Sequence, residues 1–251
     1  MELWKKKSCL DFWGGIMGIP FFLSIFFVVI LIIILIKYNV KKIPSWPTLS
    51  NIGNNKIVIS SYIWIVIIPI LAKFIEQVTL EYKDFVFALE LPFSWKLLYL
   101  SALFFALATS LYLYFCPNLI KKFSDIEHFK EKGLTKEQLI VFFSTWLREK
   151  TTAYDAEGKK INKINIVSQI SSDYCTKPIE KDELKKDSLH KDVKNLTIKN
   201  EEEVNAYWHI RSVMSNDRLF VRSLITILYS AGFLILLYLL AENINAVFHI
   251  I

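Results

Sequence analysis

Four long apolar runs dominate this sequence of 251 residues, and each is almost free of charged side chains. A helix of about 20 apolar residues crosses the hydrocarbon core of a bilayer, which is roughly 30 Å thick. A soluble chain would mix polar and apolar positions within each element instead of separating them into blocks. The runs therefore predict an all-α or mainly α membrane protein, with four transmembrane helices at residues 12–36, 57–72, 97–115 and 219–240.

The second run is the weakest of the four, because it has only 16 residues and contains Pro69. A transmembrane helix tolerates proline where its neighbours satisfy the freed backbone groups. A re-entrant or interfacial segment is the alternative. The fourth run contains Arg222 within one turn of its start, and we expect this long side chain to extend to the membrane surface.

Charged residues crowd into the segment between the third and fourth runs. This pattern predicts a soluble domain at residues 117–218, inserted between a first membrane part at residues 1–116 and a last one at residues 219–251. From Pro117 to Val221 the chain has 19 Lys and Arg against 17 Asp and Glu. A nearly neutral, mixed surface is not a phosphate-binding face, so no direct binding of nucleic acid is expected.

The soluble domain is predicted to be mainly helical. Ser124 and Thr135 are each followed three residues later by Glu or Gln, the spacing of a capping box at a helix start. Residues 161–170 are rich in Ile and Val and form either a strand or a short helix. Residues 171–195 are dense in Lys, Asp and Glu, which favours a mobile solvated loop or a polar helix. Acidic residues at 200–203 predict the start of a last helix.

Motifs for chemistry are missing from the sequence. The seven glycines form no phosphate-binding loop, and the four histidines and three cysteines have no zinc-ligand spacing. The interiors of the apolar runs carry no ionisable residue of the kind that carriers place at membrane depth. We therefore expect a protein that is not an enzyme and not a carrier, with no catalytic residue, no cofactor and no metal.

Two predicted helices of the soluble domain are unusually aromatic. Their large side chains have two compatible interpretations: they form one small core, or part of them is a surface that docks another protein. The candidate partner-binding residues are Phe142, Phe143, Trp146, Tyr207, Trp208 and Arg211.

Small residues recur at helical spacing within the apolar runs, where they allow helix backbones to approach closely. Such faces serve packing inside one bundle or association between chains, and the second option predicts a homo-oligomer such as a tetramer. The candidate packing residues are Gly14, Gly18, Ala102, Ala106, Ser110 and Ser230.

The distribution of basic residues predicts the orientation. Placing the soluble domain in the cytoplasm leaves eight basic residues in short cytoplasmic flanks against six outside. The fourth run supports this choice, because its start is basic and the tail from Ala241 to Ile251 has no Lys or Arg. We expect both termini outside, and the composition rich in Lys, Ile and Asn suggests a bacterial inner membrane.

A layout of three spans, a charged cytoplasmic domain from Lys121 to Arg218 and a last span with a short tail resembles the membrane subunit of the Kiwa anti-phage system. The resemblance is one of architecture over the whole chain and carries no residue roles. It implies a homo-oligomer that binds a separate DNA-binding effector protein and signals phage attachment. The sequence thus favours a membrane sensor or scaffold with a cytoplasmic protein partner, and a pore-forming effector triggered through its soluble domain is the alternative.

Overall fold

A computed structural model of the chain describes residues 43–81, 93–149, 152–154, 159–185 and 188–250. The first predicted span at residues 12–36, with Gly14 and Gly18, lies outside these ranges. The described residues form ten α-helices, two short 3-10 turns and one two-stranded antiparallel hairpin. The helices are α1 (Trp46–Gly53), α2 (Lys56–Glu81), α3 (Phe93–Phe115), α4 (Asn118–Lys122), α5 (Ile126–Glu131), α6 (Lys136–Arg148), α7 (Lys163–Tyr174), α8 (Leu189–Lys194), α9 (Glu203–Ser215) and α10 (Leu219–Ile250), and the strands are β1 (Ala153–Tyr154) and β2 (Lys160–Ile161).

Three of the helices are long and apolar enough to cross a membrane. The qualifying stretches are Lys56–Lys73 in α2, Trp95–Phe115 in α3 and Leu219–Ile244 in α10. The prediction of long apolar helices at the second, third and fourth runs is therefore confirmed. Helix α2 continues without a break through Pro69 over 26 residues, whereas a re-entrant segment would have to turn back within that length.

The α3–α10 contact depends on one glycine. A Cβ atom on Gly232 would lie 2.5 Å from the ring of Phe105, so only a residue without a side chain allows this approach. Ser101 also donates a hydrogen bond of 3.0 Å to the carbonyl oxygen of Gly232. A ring therefore packs directly on the backbone of the neighbouring helix.

The predicted packing residues lie only partly on this contact. Ala102 is fully buried, Ala106 is half-buried, and Ser110 and Ser230 are exposed. The buried face of α3 carries the large Phe105 as well as small residues. Gly232 on α10 leaves room for the Phe105 ring. Association between chains through the exposed positions stays a prediction.

A short helix that the sequence did not reveal precedes α2. Helix α1 has Pro47 in its first turn, where the missing N–H has no helical partner to lose. Its Trp46 and Leu49 are fully buried, and the helix contacts α3, α4 and α10. At its end Gly53 lies against the Tyr229 hydroxyl, which a Cβ would approach to 2.7 Å. Helix α1 therefore packs the segment before α2 onto the apolar bundle.

The two predicted helix starts have different outcomes. At the first, the cap is Asp125 and not Ser124: the Asp125 carboxylate accepts the His128 N–H at 2.7 Å, and Ser124 Oγ donates to that carboxylate. An ionised carboxylate is the stronger acceptor, and these hydrogen bonds lower the pKa of Asp125. At the second, Gln138 accepts the Thr135 N–H at 2.6 Å, which confirms the capping box at the start of α6.

Residues 117–218, the predicted soluble domain, have a middle part that packs more extensively than its composition suggested. Within residues 161–170, Ile161 ends strand β2, Asn162 caps the helix and residues 163–170 belong to helix α7, so most of this segment is helical. Of residues 171–195, the stretch 176–185 is an exposed loop with one 3-10 turn that buries Leu184, as the loop alternative predicts. Residues 189–194 form α8, which packs against α6 and buries Leu189 and Val193. Two apolar residues four positions apart are enough to attach a six-residue helix to the core.

One apolar core is continuous from the bundle into the soluble domain. In the soluble part, aromatic rings of α5, α6 and α9 meet around Phe123 and Phe129, with centroid distances of 5.1–6.4 Å. The same cluster includes Phe105 and Tyr229 of the long helices. The long apolar helices and residues 117–218 therefore share one core, which surrounds the polar and charged groups where the two parts meet.

Candidate functional site

A tight connection joins the soluble domain to the last apolar helix. Helix α9 ends at Ser215, and α10 begins only four residues later at Leu219. Arg218 in this connection has φ of +50°, a left-handed conformation that costs a non-glycine residue roughly 1–2 kcal/mol. The residues Asp217, Arg218 and Arg222, with the groups they bind, are called the junction below. A conformation of this cost persists only where surrounding contacts enforce it.

Arg222 is the centre of the junction, and its side chain is only 3% exposed. Its guanidinium group donates three hydrogen bonds of 2.8 Å, to the backbone oxygens of Asp217, Asn216 and Pro44. The prediction that Arg222 extends to the membrane surface is wrong, because these carbonyl groups bind it inside the protein. The planar group thus connects the end of α9 with the segment that leads into α1.

Asp217 is the buried anion of the junction and has no exposed surface. One carboxylate oxygen accepts the Trp146 Nε1–H at 2.7 Å. The other lies 3.5 Å from Arg218 Nε, as an ion pair without a hydrogen bond. Burial raises the pKa of Asp217 to about 6, although the Trp146 hydrogen bond and the nearby cations favour its charged form.

Arg218 links three helices. Its Nη1 donates to the backbone oxygen of Phe115 at 2.6 Å, at the last residue of α3. Its Nη2 forms an ion pair with Glu149, which directly follows α6. The guanidinium carbon also lies 5.8 Å from the centre of the Phe115 ring. Arg218 therefore ties the ends of α3 and α6 to the start of α10.

Lys163 completes the junction from the side of α7. Its ammonium group donates to the backbone oxygens of Glu149 at 2.7 Å and Trp146 at 3.2 Å, at the C-terminal end of α6. A cation is favourable there because the carbonyl end of a helix carries partial negative charge. The same group lies 4.4 Å from the Trp146 ring centre. Burial lowers the pKa of Lys163 to about 8.

The side chains of the junction connect helices to one another. Its cations are bound to backbone oxygens or paired with Asp217 and Glu149. The neighbouring cleft beside Trp146 and Phe142 has a volume of about 20 Å³, which holds one water molecule, whereas ligand pockets measure hundreds of Å³. In the ranges that the structure describes, no three His, Cys, Asp or Glu side chains cluster as metal ligands would.

The structure separates the six predicted partner-binding residues. Phe143, Trp146, Tyr207 and Arg211 are buried in the soluble domain, and Phe142 is half-buried. Arg211 is held there by a 2.6 Å hydrogen bond to the Phe123 backbone oxygen. These residues therefore fit the core interpretation, and Trp146 is in addition a junction residue.

Trp208 is the exposed member of the predicted set, with 46% of its surface accessible. Val204 lies one helical turn earlier on α9 and is 44% exposed. Residues four positions apart lie side by side on a helix, so the two form one apolar surface, called the Trp208 patch below.

Sequence reasoning missed the junction apart from Trp146. Asp217 and Arg218 lie at the border of the soluble domain, and Arg222 was assigned to the membrane surface. The available signal was an arginine inside an apolar run with an aspartate five residues before it. Charged groups near membrane depth are commonly paired with a counter-charge or with backbone carbonyl groups.

Comparison with known proteins adds no relative: no family model, no curated protein and no solved structure matches this chain.

Proposed function

We propose that this chain is a non-enzymatic membrane scaffold that holds a protein partner on its soluble domain and couples that domain to the membrane helices. In this proposal the run at residues 12–36 also spans the membrane, which gives four spans in total. Residues 117–218 lie in the cytoplasm of a bacterial cell, with both termini outside. The observation that carries the proposal is the buried junction, which attaches the soluble domain to the apolar helices at several points.

The coupling follows from where the junction bonds end. Arg218 holds the last residue of α3, Arg222 holds the segment before α1, and Asp217 holds Trp146 in α6. A tilt or shift of α3 or α10 in the bilayer would have to move α6 as well, or else break buried hydrogen bonds. Hydrogen bonds of charged groups contribute about 1.5–3 kcal/mol each. A disturbance of the membrane would therefore reach the soluble domain as a rigid displacement.

The Trp208 patch is the proposed docking surface for the partner. Tryptophan is enriched among the residues that dominate protein–protein binding energy, because its large ring buries much area with few rotatable bonds. Arg211 lies close beneath, with its guanidinium carbon 5.9 Å from the Trp208 ring centre. Since Arg211 is hydrogen-bonded to Phe123, it holds one face of the ring in place. A preorganised side chain loses less entropy on binding.

Assembly into a homo-oligomer such as a tetramer belongs to the same proposal. Apolar side chains on the outer faces of α2 and α10 and the exposed Ser110 and Ser230 are open to lipid or to a second copy. The architectural resemblance to the Kiwa membrane subunit suggests that the partner is a DNA-binding effector and that the signal is phage attachment.

Co-purification from detergent-solubilised membranes of the native host tests the proposal. The full chain should retain one partner protein at constant stoichiometry, and Trp208→Ala should lose it while a cooperative thermal unfolding curve shows that the variant is still folded. Val141→Ala, which shortens an exposed apolar side chain on α6 outside the Trp208 patch, is the matched control and should retain the partner. A partner retained equally by all three proteins contradicts the proposed docking surface. Ion conductance by the chain alone in planar bilayers would instead identify the pore-forming alternative.

A further inference from the structure

Two adjacent lysines follow directly after the third apolar run. Lys121 and Lys122 lie on the short helix α4, which is separated from the end of α3 by only two residues, and both are exposed. The Lys121 ammonium group folds back and donates a 3.1 Å hydrogen bond to the backbone oxygen of Leu113, in the last turn of α3. A positive charge is thereby held at the end of an apolar helix.

Tyr114 follows Leu113 in the last turn of α3 and has the most exposed large apolar side chain among the described residues, at 81%. Tyrosine prefers the boundary between lipid tails and water, where its ring stays among apolar groups and its hydroxyl reaches polar ones. Leu113 is also exposed, at 53%. The last turn of α3 thus exposes two apolar side chains and binds the Lys121 ammonium group through its backbone.

The charges of this region are not neutralised by the described part of the protein. No described carboxylate forms an ion pair with Lys121 or Lys122. Lys56 adds a third exposed charge at the start of α2, directly after α1, which contacts α4. By contrast Lys130 on α5 is paired with Glu203 at 3.6 Å.

We propose that Lys121, Lys122 and Tyr114 form a binding site for the phosphate group of an anionic phospholipid. The two ammonium groups supply the charge, the Tyr114 hydroxyl donates a hydrogen bond, and the exposed Leu113 and Tyr114 side chains contact the acyl chains. A lipid places its phosphate at the depth where an apolar helix ends, which is where these donors lie. The site rests on the insertion of the apolar helices in a bilayer and is independent of the partner on the Trp208 patch.

Titration of the purified chain in detergent micelles with phosphatidylglycerol, read out by native mass spectrometry, tests the site. Each lysine at a membrane surface contributes about a fivefold factor in binding. K121Q/K122Q should therefore weaken retention of the lipid by more than tenfold in total, and K122Q alone by about fivefold. The matched control K191Q/K194Q removes the same number of exposed charges from the short helix α8 and should bind like the unchanged chain.

Three outcomes overturn the site. The first is equal retention of phosphatidylcholine and phosphatidylglycerol, and the second is unchanged binding by K121Q/K122Q. The third is displacement of the lipid by inorganic phosphate or glycerol phosphate at equal concentration, which would identify a free anion as the ligand. Trp208→Ala should bind lipid normally, so loss of the partner and loss of the lipid site are separate results.

Discussion

Replacing Arg222 with glutamine removes the one side chain that joins the connection between α9 and α10 to the segment before α1. The guanidinium group donates to three backbone oxygens at 2.8 Å. Glutamine is shorter and has a single donor nitrogen, so it can satisfy at most one or two of them. At least one charge-assisted bond is lost outright, the remaining ones become neutral, and buried carbonyl groups are left unpaired.

The expected cost follows from these losses. Hydrogen bonds to a charged group contribute about 1.5–3 kcal/mol each, so losing or weakening two of them lowers the free energy of unfolding by roughly 3–6 kcal/mol. In a chain of this size 1 kcal/mol corresponds to about 2–4 °C in the melting temperature. The variant should therefore melt at least about 6 °C below the unchanged protein. Removing the cation also leaves the buried Asp217 less compensated, which adds to the loss.

Thermal unfolding in detergent micelles, followed by tryptophan fluorescence, measures this difference. Trp146 in the junction is one of the seven tryptophans that contribute to this signal. Arg148→Gln is the matched control, because it removes the same charge from an exposed position in the last turn of α6. A melting temperature for Arg222→Gln equal to that of Arg148→Gln would refute the assignment of Arg222 as the central contact of the junction.

Two further substitutions test the surroundings. Burial raises the pKa of Asp217 to about 6, so between about pH 4 and pH 6 the folded protein keeps a proton that the unfolded chain releases. The free energy of unfolding therefore falls by roughly 3 kcal/mol through this group as the pH rises from 4 to 7. Asparagine does not titrate, so the difference in melting temperature between Asp217→Asn and the unchanged protein should change with pH. A difference that stays constant with pH would contradict the burial of a titrating carboxyl group. Gly232→Ala places a Cβ atom 2.5 Å from the Phe105 ring and should lower the free energy of unfolding by about 1–3 kcal/mol, measured by the same thermal unfolding. Ser230→Ala, at an exposed position on the same helix, should have no effect, and equal melting temperatures for the two variants would contradict the close α3–α10 contact.

The sequence was informative where local patterns determine the structure. Helix α3 follows from its charge-free apolar run, and the start of α6 follows from Thr135 and Gln138, because both signals lie within one element. The first predicted helix start failed by one residue, since Ser124 and Asp125 are both good caps and only their geometry selects the carboxylate.

The candidate site could not be predicted in the same way, because its contacts join distant parts of the chain. The Arg222 guanidinium binds the carbonyl group of Pro44, which lies 178 positions earlier. Trp146 reaches Asp217 across 71 positions. No periodicity or spacing encodes such pairs. The sequence pattern of an arginine beside an apolar run is the same whether its guanidinium group binds carbonyl groups of the protein or extends to the lipid headgroups.

The distance between the soluble domain and the apolar bundle tests the coupling most directly. Spin labels at Ser212 on α9 and Leu107 on α3, both exposed, can be compared by pulsed electron resonance in proteoliposomes. We expect a narrow distance distribution for the unchanged protein and a broad one for Arg222→Gln. A broad distribution in the unchanged protein would contradict rigid attachment through the junction, as would an equally narrow one in the variant.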